Sequence, residues 1–217
     1  MTDVYLHVGL PKTGTTSIQR ALTAHASDLA AVGVLVPGGR HIEQRRAAYD
    51  LIGLRQAGDD GPVTGAFERL VAEMVAYQGN TIVFSEEGLA AARRRHARRL
   101  VDALAPHRVH VVLTVRDLAR LLTSAWQQSV VMGRGEDWPE YLASARDPAH
   151  GTISVATKFW LKHDITRVLD VWGTVAPPER VIVVTVPPEL GAAAATYVER
   201  LSAITPVIKP PALQPVT

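Results

Sequence analysis

The stretch VYLHVGLPKTGTTSIQRAL, residues 4–22, constrains the fold more than any other part of the chain. Val4, Leu6 and Val8 alternate as in a buried strand, and Gly9, Pro11 and Gly14 interrupt that run. From Thr15 or Thr16, offered as caps, a helix follows whose apolar side is Ile18, Leu22 and Leu29. Strand, tight turn and helix in this order place a helix start, with its unpaired N–H groups and positive dipole end, at the carboxyl edge of a strand. Lys12 adds a charge, and Thr13, Thr15, Thr16 and Ser17 add hydroxyl donors. Such a turn is an anion cradle, with Gly14 allowing close approach.

The remaining sequence repeats the theme. TIVF (81–84), VHVVLTV (109–115) and RVIVVTV (180–186) read as buried strands, and VGVLVPGG (32–39) as a short strand closed by Pro37. Helical periodicity covers 16–31, 41–54, 66–77, 89–104, 118–132, 156–175 (as one helix or two) and 191–204. Residues 56–65 read as a loop and 133–141 as a turn entering a short helix. Strands alternating with helices predict an α/β fold: a P-loop-like three-layer arrangement of a central parallel sheet flanked by helices. Ligands in such a fold bind at the carboxyl ends of the strands. One domain is expected over residues 1–205, with a Pro-rich tail at 206–217.

Composition narrows the class. The chain has 217 residues, no cysteine and a net charge of +2. Disulfide and thiol chemistry are excluded, and nothing argues for a nucleic acid polymer as partner. No secretory leader and no membrane span are read in it, so the expected location is the cytoplasm. The histidines and acids show no metal-ligand spacing, so no metal is expected.

Two further strand ends carry chemistry. In TVRDLARLLTSAW (114–126), Arg116 leaves a buried strand, Asp117 caps the next helix, and Ser124 follows seven residues later, two turns on. The planar guanidinium of Arg116 suits a phosphate; a salt bridge to Asp117 or Glu87 is the alternative. At the other strand end, SEE (85–87), Glu86 or Glu87 can accept a proton as a general base, or else both acids favour the start of the following helix. His7 reads as a packing residue or a hydrogen-bonded one, His41 as surface by default or else as reaching toward an acceptor, and Trp126, Trp160 and Trp172 first as core and second as a wall for a substrate. In RRRHARR (93–99), Arg94, Arg95 and Arg98 read as a solvated face.

PKTGTT, together with the Arg116 and Ser124 pair, resembles the sulfotransferases that use 3′-phosphoadenosine 5′-phosphosulfate (PAPS). The lysine stands before the second glycine, unlike the common nucleotide triphosphate loop. Ser85, Glu87 and Leu89 also match a serine–x–glutamate–x–leucine pattern of bacterial members, which makes Glu87 the better base and Glu86 the reserve. The resemblance implies transfer of a sulfuryl group from PAPS to a hydroxyl or amine of a small-molecule, lipid or glycan acceptor. Backbone N–H groups of 13–17 would hold the 5′-phosphosulfate, Lys12 would neutralise the leaving oxygen, and Arg116 with Ser124 would hold the 3′-phosphate. The alternatives are a non-catalytic module of the same fold that binds the nucleotide, or a kinase-like phosphotransferase; oligomeric state is left open. Many relatives carry Trp where Ser17 stands, and larger ones a basic segment near the C-terminus, where 207–217 here has Lys209 as its one charged side chain.

Overall fold

A computed structural model describes residues 1–54, 63–147 and 155–186, with side chains from 158 onward in the last stretch. Most of the expected loop at 56–65, the expected helix 191–204 and the tail 206–217 lie outside the described residues. Among the described residues five strands form one parallel sheet: β1 (Asp3–His7), β2 (Val34–Leu35), β3 (Thr81–Ser85), β4 (Arg108–Val115) and β5 (Val181–Thr185), in the order β2-β3-β1-β4-β5. The helices are α1 (Thr15–Ala24), α2 (Ala26–Ala31), α3 (His41–Ile52), α4 (Ala66–Ala76), α5 (Arg94–Ala103), α6 (Leu118–Val131), α7 (Trp138–Arg146), α8 (Val155–His163) and α9 (Ile165–Trp172).

The period of two along each strand sorts side chains into two cores, which is why helices cover both faces. Val4 and Leu6 of β1, Ile82 and Phe84 of β3, and Val109, Val111 and Leu113 of β4 join one core with α3, α4, α5 and α9. On the opposite face Val83 packs with Leu22 and Leu29 of α1 and α2, and Val112 and Val184 pack with Tyr5 and Ile18. Each fully buried Leu or Phe contributes about 1.5–3 kcal/mol relative to exposure. The fold is the expected three-layer α/β arrangement.

Three boundaries differ from the sequence reading, and one that it left open is settled. The first helix breaks at His25, whose backbone caps α1 and opens α2. The segment after β3 begins as a 3-10 turn, Glu87–Ala91, and α5 starts only at Arg94. Residues 155–172 divide at Asp164, whose side chain accepts from the Arg167 N–H at 3.1 Å and caps α9. Finally, α1 has no threonine cap: its N-cap is Gly14, at φ 87°, a left-handed conformation that glycine adopts without steric cost.

Central β1 pairs with β3 on one side and β4 on the other, with His7 opposite Ser85 and Val112. Pairing continues past the strand: Val8 N–H donates to Val112 O at 3.0 Å and Leu10 N–H to Thr114 O at 2.8 Å. The turn before α1 is thereby tied to the end of β4, while Glu86 N–H donates to His7 O at 3.1 Å. The cradle, SEE and Arg116 therefore meet at one edge of the sheet. Among the described residues, no helix is long and apolar enough to cross a membrane.

Candidate active site at the carboxyl ends of β1, β3 and β4

The turn 9–14 is built to present amides. Lys12 takes a left-handed φ of 66°, unusual for a non-glycine residue, and Gly14 follows with its own positive φ. Two left-handed residues close together curl the backbone, and among the described residues the N–H groups of Lys12, Thr13, Gly14, Thr15 and Thr16 find no acceptor. Ser17 N–H is already spent on Gly14 O at 3.0 Å, so the amide row ends at Thr16 rather than at Ser17. Gly14, Thr16 and Ser17 are exposed at the mouth.

The hydroxyls divide their work in a way the sequence did not reveal. Thr13 is fully buried; its Oγ1 donates to Leu10 O at 2.6 Å and lies 2.6 Å from Thr114 Oγ1. Thr13 thus anchors the turn through its side chain and faces the site only through its backbone. Thr15 is also buried, and its hydroxyl donates to Glu87 Oε2. That bond ties the first turn of α1 to the segment after β3.

Glu86 and Glu87 separate cleanly. Glu86 sits in extended backbone, so the two carboxylates leave the chain on opposite sides. Glu87 is half-buried and reaches the cradle through Thr15. The Glu86 side chain is 1 % exposed, and its Oε1 accepts from Gly88 N–H at 2.9 Å. Its Oε2 lies 2.7 Å from His41 Nε2 and 3.8 Å from Arg45 Nε, both on α3. The expected capping role therefore belongs to Glu86, which is clamped and closed off from solvent, and the reserve assignment of Glu86 as base loses its access. His41 is not a free surface residue as expected; it forms part of that clamp.

Arg116 leaves β4 and donates from Nη1 to the carbonyl of Lys12 at 3.0 Å. Its alternative partner Asp117 instead caps α6, accepting from Arg120 N–H at 2.9 Å. Among the described residues Arg116 has no carboxylate partner, and its Nε is buried without an acceptor. Arg116 and, from α6, Ala119, Arg120, Thr123, Ser124 and Gln127 line an open pocket of about 380 Å³. The two residues paired by sequence spacing thus share one cavity.

Lys12 Nζ donates to Gln128 Oε1 at 2.7 Å, which holds its ammonium against α6. Gln128 escaped the sequence reading, as did Arg120. Their signal was available: Arg120, Ser124 and Gln128 recur every four residues and so share a helix face. Trp126, Trp138, Tyr141, Phe159 and His163 form an aromatic row with neighbouring ring centroids 4.5–6.5 Å apart, and His163 at its end lies near Pro11 and Lys12 of the turn. Trp172 is core, whereas Trp126 and Trp160 are half-buried and spend their N–H groups on the carbonyls of Glu136 and Ala145. Arg94, Arg95 and Arg98 are exposed as expected, and Arg93 and Arg99 are exposed as well; Arg94 pairs with Asp170 and Arg99 with Glu68. Among the described residues, no group of three His, Cys, Asp or Glu comes together to hold a metal ion.

No family model and no curated protein matches this chain. A solved structure does: a sulfotransferase from Alicyclobacillus acidocaldarius, with a TM-score of 0.60 at 18% identity, over 94% of this chain and 79% of that one. The likeness extends over nearly the whole chain and is one of fold: this chain has the P-loop-like architecture of that sulfotransferase.

Proposed function

We propose that this chain is a PAPS-dependent sulfotransferase acting on a hydroxyl or amine of a small-molecule, lipid or glycan acceptor. The observation that carries the reading is that one strand edge joins a row of unspent amides, an arginine with an orphaned Nε, and a carboxylate touching the amide row through Thr15. These residues fit a molecule with two separated phosphate groups. The amides of 13–16 would hold the 5′-phosphosulfate and Arg116 with Ser124 the 3′-phosphate. PAPS supplies the activated sulfuryl group and a bisphosphate leaving group.

The chain's own residues then have distinct tasks. Thr13 holds the turn from below so that its amides converge at fixed spacing, which makes their field preorganised. Lys12, released from Gln128, lies in the same turn to neutralise developing negative charge. Glu87 stands as the base for the acceptor proton, with Thr15 orienting its carboxylate. Glu86, His41 and Arg45 hold the Glu87 backbone from behind. Cytoplasmic location belongs to this same proposal.

The test is ligand-induced stabilisation with adenosine 3′,5′-bisphosphate, ADP, AMP and ATP with magnesium, followed by transfer of label from PAPS to a panel of hydroxyl acceptors. The bisphosphate should raise Tm most, without magnesium. Preference for ATP with magnesium would transfer the reading to a phosphotransferase; tight bisphosphate binding with no transfer to any acceptor would favour a binding module.

A further inference from the structure

A line of buried side chains crosses the sheet beneath the cradle. His7, 3 % exposed at the end of central β1, places Nδ1 2.7 Å from Ser85 Oγ on β3 and Nε2 3.1 Å from Thr114 Oγ1 on β4. Thr114 Oγ1 in turn contacts Thr13 Oγ1 at 2.6 Å, and Thr13 donates to the buried carbonyl of Leu10. The hydrogens can be assigned by counting. Thr13 has one, spent on Leu10 O. The Thr114 hydroxyl has two acceptors within reach, Thr13 Oγ1 at 2.6 Å and the Gly9 carbonyl at 3.1 Å; its one hydrogen goes to one of them, so in either case Thr114 accepts from His7 Nε2–H. Nδ1 is left as acceptor for the Ser85 hydroxyl. The result is a one-way run from Ser85 to His7 to Thr114, which then meets the amide turn at Thr13 and at the Gly9 carbonyl, joining the base-bearing segment to that turn.

We propose that His7 is a positioning residue: its Nε2–H arm sets the curl of the 9–14 turn through Thr114, which contacts Thr13 and the Gly9 carbonyl, while its Nδ1 accepts from Ser85 on the other side of the ring. The two arms are separable because they leave opposite sides of one ring. Burial keeps the ring neutral at ordinary pH, down at about 4, despite the nearby Glu86 charge. A neutral ring is what the chain needs, since protonation would put a second donor against Ser85 and force its hydroxyl to turn away. The proposal rests on the sulfotransferase reading for its ligand, adenosine 3′,5′-bisphosphate, but not for its structural claim.

Two variants divide the arms. In His7→Gln the side-chain amide reaches the Nε2 position and can still donate to Thr114. In His7→Asn it reaches only the Nδ1 position and can serve Ser85 alone. Bisphosphate affinity by calorimetry and hydrogen exchange of the amides of 12–16 are measured for both, with Thr114→Val and Thr114→Ser as a second pair that leaves β1 untouched. His7→Asn and Thr114→Val are expected to weaken the bisphosphate at least tenfold and to speed exchange of the turn amides at least tenfold. His7→Gln and Thr114→Ser should stay within threefold of wild type on both readouts. Equal effects of Gln and Asn, or of Val and Ser, would overturn the proposal and reduce His7 to core filling. Failure of the wild-type protein to bind the bisphosphate would sink the sulfotransferase reading alone, because the exchange comparison still decides the role of His7.

Discussion

Glu86→Gln is the substitution whose cost the structure predicts best. The carboxylate accepts from Gly88 N–H on one oxygen and from His41 on the other, and Arg45 Nε lies 3.8 Å away. A glutamine has one acceptor oxygen; given to Gly88, it turns its NH2 toward His41, which can accept only by moving its proton to Nδ1, against the Arg45 guanidinium at 3.4 Å, so one donor is left facing another. An orphaned buried donor costs about 1–3 kcal/mol. Loss of the charge also removes an attraction to Arg45 of about 4 kcal/mol at an effective dielectric of 20. Against this, the charged carboxylate no longer has to be kept out of water, which returns several kcal/mol. The net is a destabilisation of about 2–4 kcal/mol, or a fall in Tm of about 4–16 °C for a chain of this size. Thermal and urea unfolding of Glu86→Gln and Glu87→Gln side by side provide the assay. The partner variant should lie within about 1 kcal/mol of wild type, because a glutamine at 87 still accepts from Thr15 and is half-exposed. A Glu86→Gln protein melting within 2 °C of wild type, or a larger loss in Glu87→Gln, would refute the clamp.

Glu87→Gln should instead abolish turnover by about 10²–10⁴-fold while leaving bisphosphate affinity near wild type, read in the PAPS transfer assay. Arg116→Ala should weaken the bisphosphate by about 1.5–3 kcal/mol and AMP hardly at all; equal losses in calorimetry would make Arg116 a purely structural tie to the Lys12 carbonyl. Lys12→Ala should lower turnover more than bisphosphate affinity, since the lysine is aimed at charge that appears only as the bond breaks. Burial holds both His7 and His163 down at about 4, against 6.5 when unfolded. The unfolded chain therefore binds protons that the folded one refuses. That stability is complete above 6.5 and is lost as pH falls toward 4, about 3 kcal/mol for each histidine. Urea unfolding across that window should show the slope, and His7→Gln should reduce it by about half.

Much of the local structure was legible in the residues themselves. Apolar alternation located β1, β3, β4 and β5 within a residue or two at most ends, because a buried strand imposes its period on its own sequence. The Arg116 and Ser124 pair could be read for the same reason: a strand end and a position two helical turns on are related by local geometry alone, and the pocket they share followed. Long-range pairings decided the rest. Nothing near residue 86 states that its carboxylate meets His41 and Arg45, or that its neighbour reaches Thr15, 72 positions away. Only the docking of α3 and α1 against the end of β3 separates two adjacent glutamates into a clamp and a candidate base. Lys12 meets Gln128 across 116 residues, and Thr13 turns inward because β4 brings Thr114 beneath it. A hydroxyl in the sequence is a donor of unstated direction; which way it points is set by the strand order β3-β1-β4, and that order depends on contacts between segments far apart in the chain.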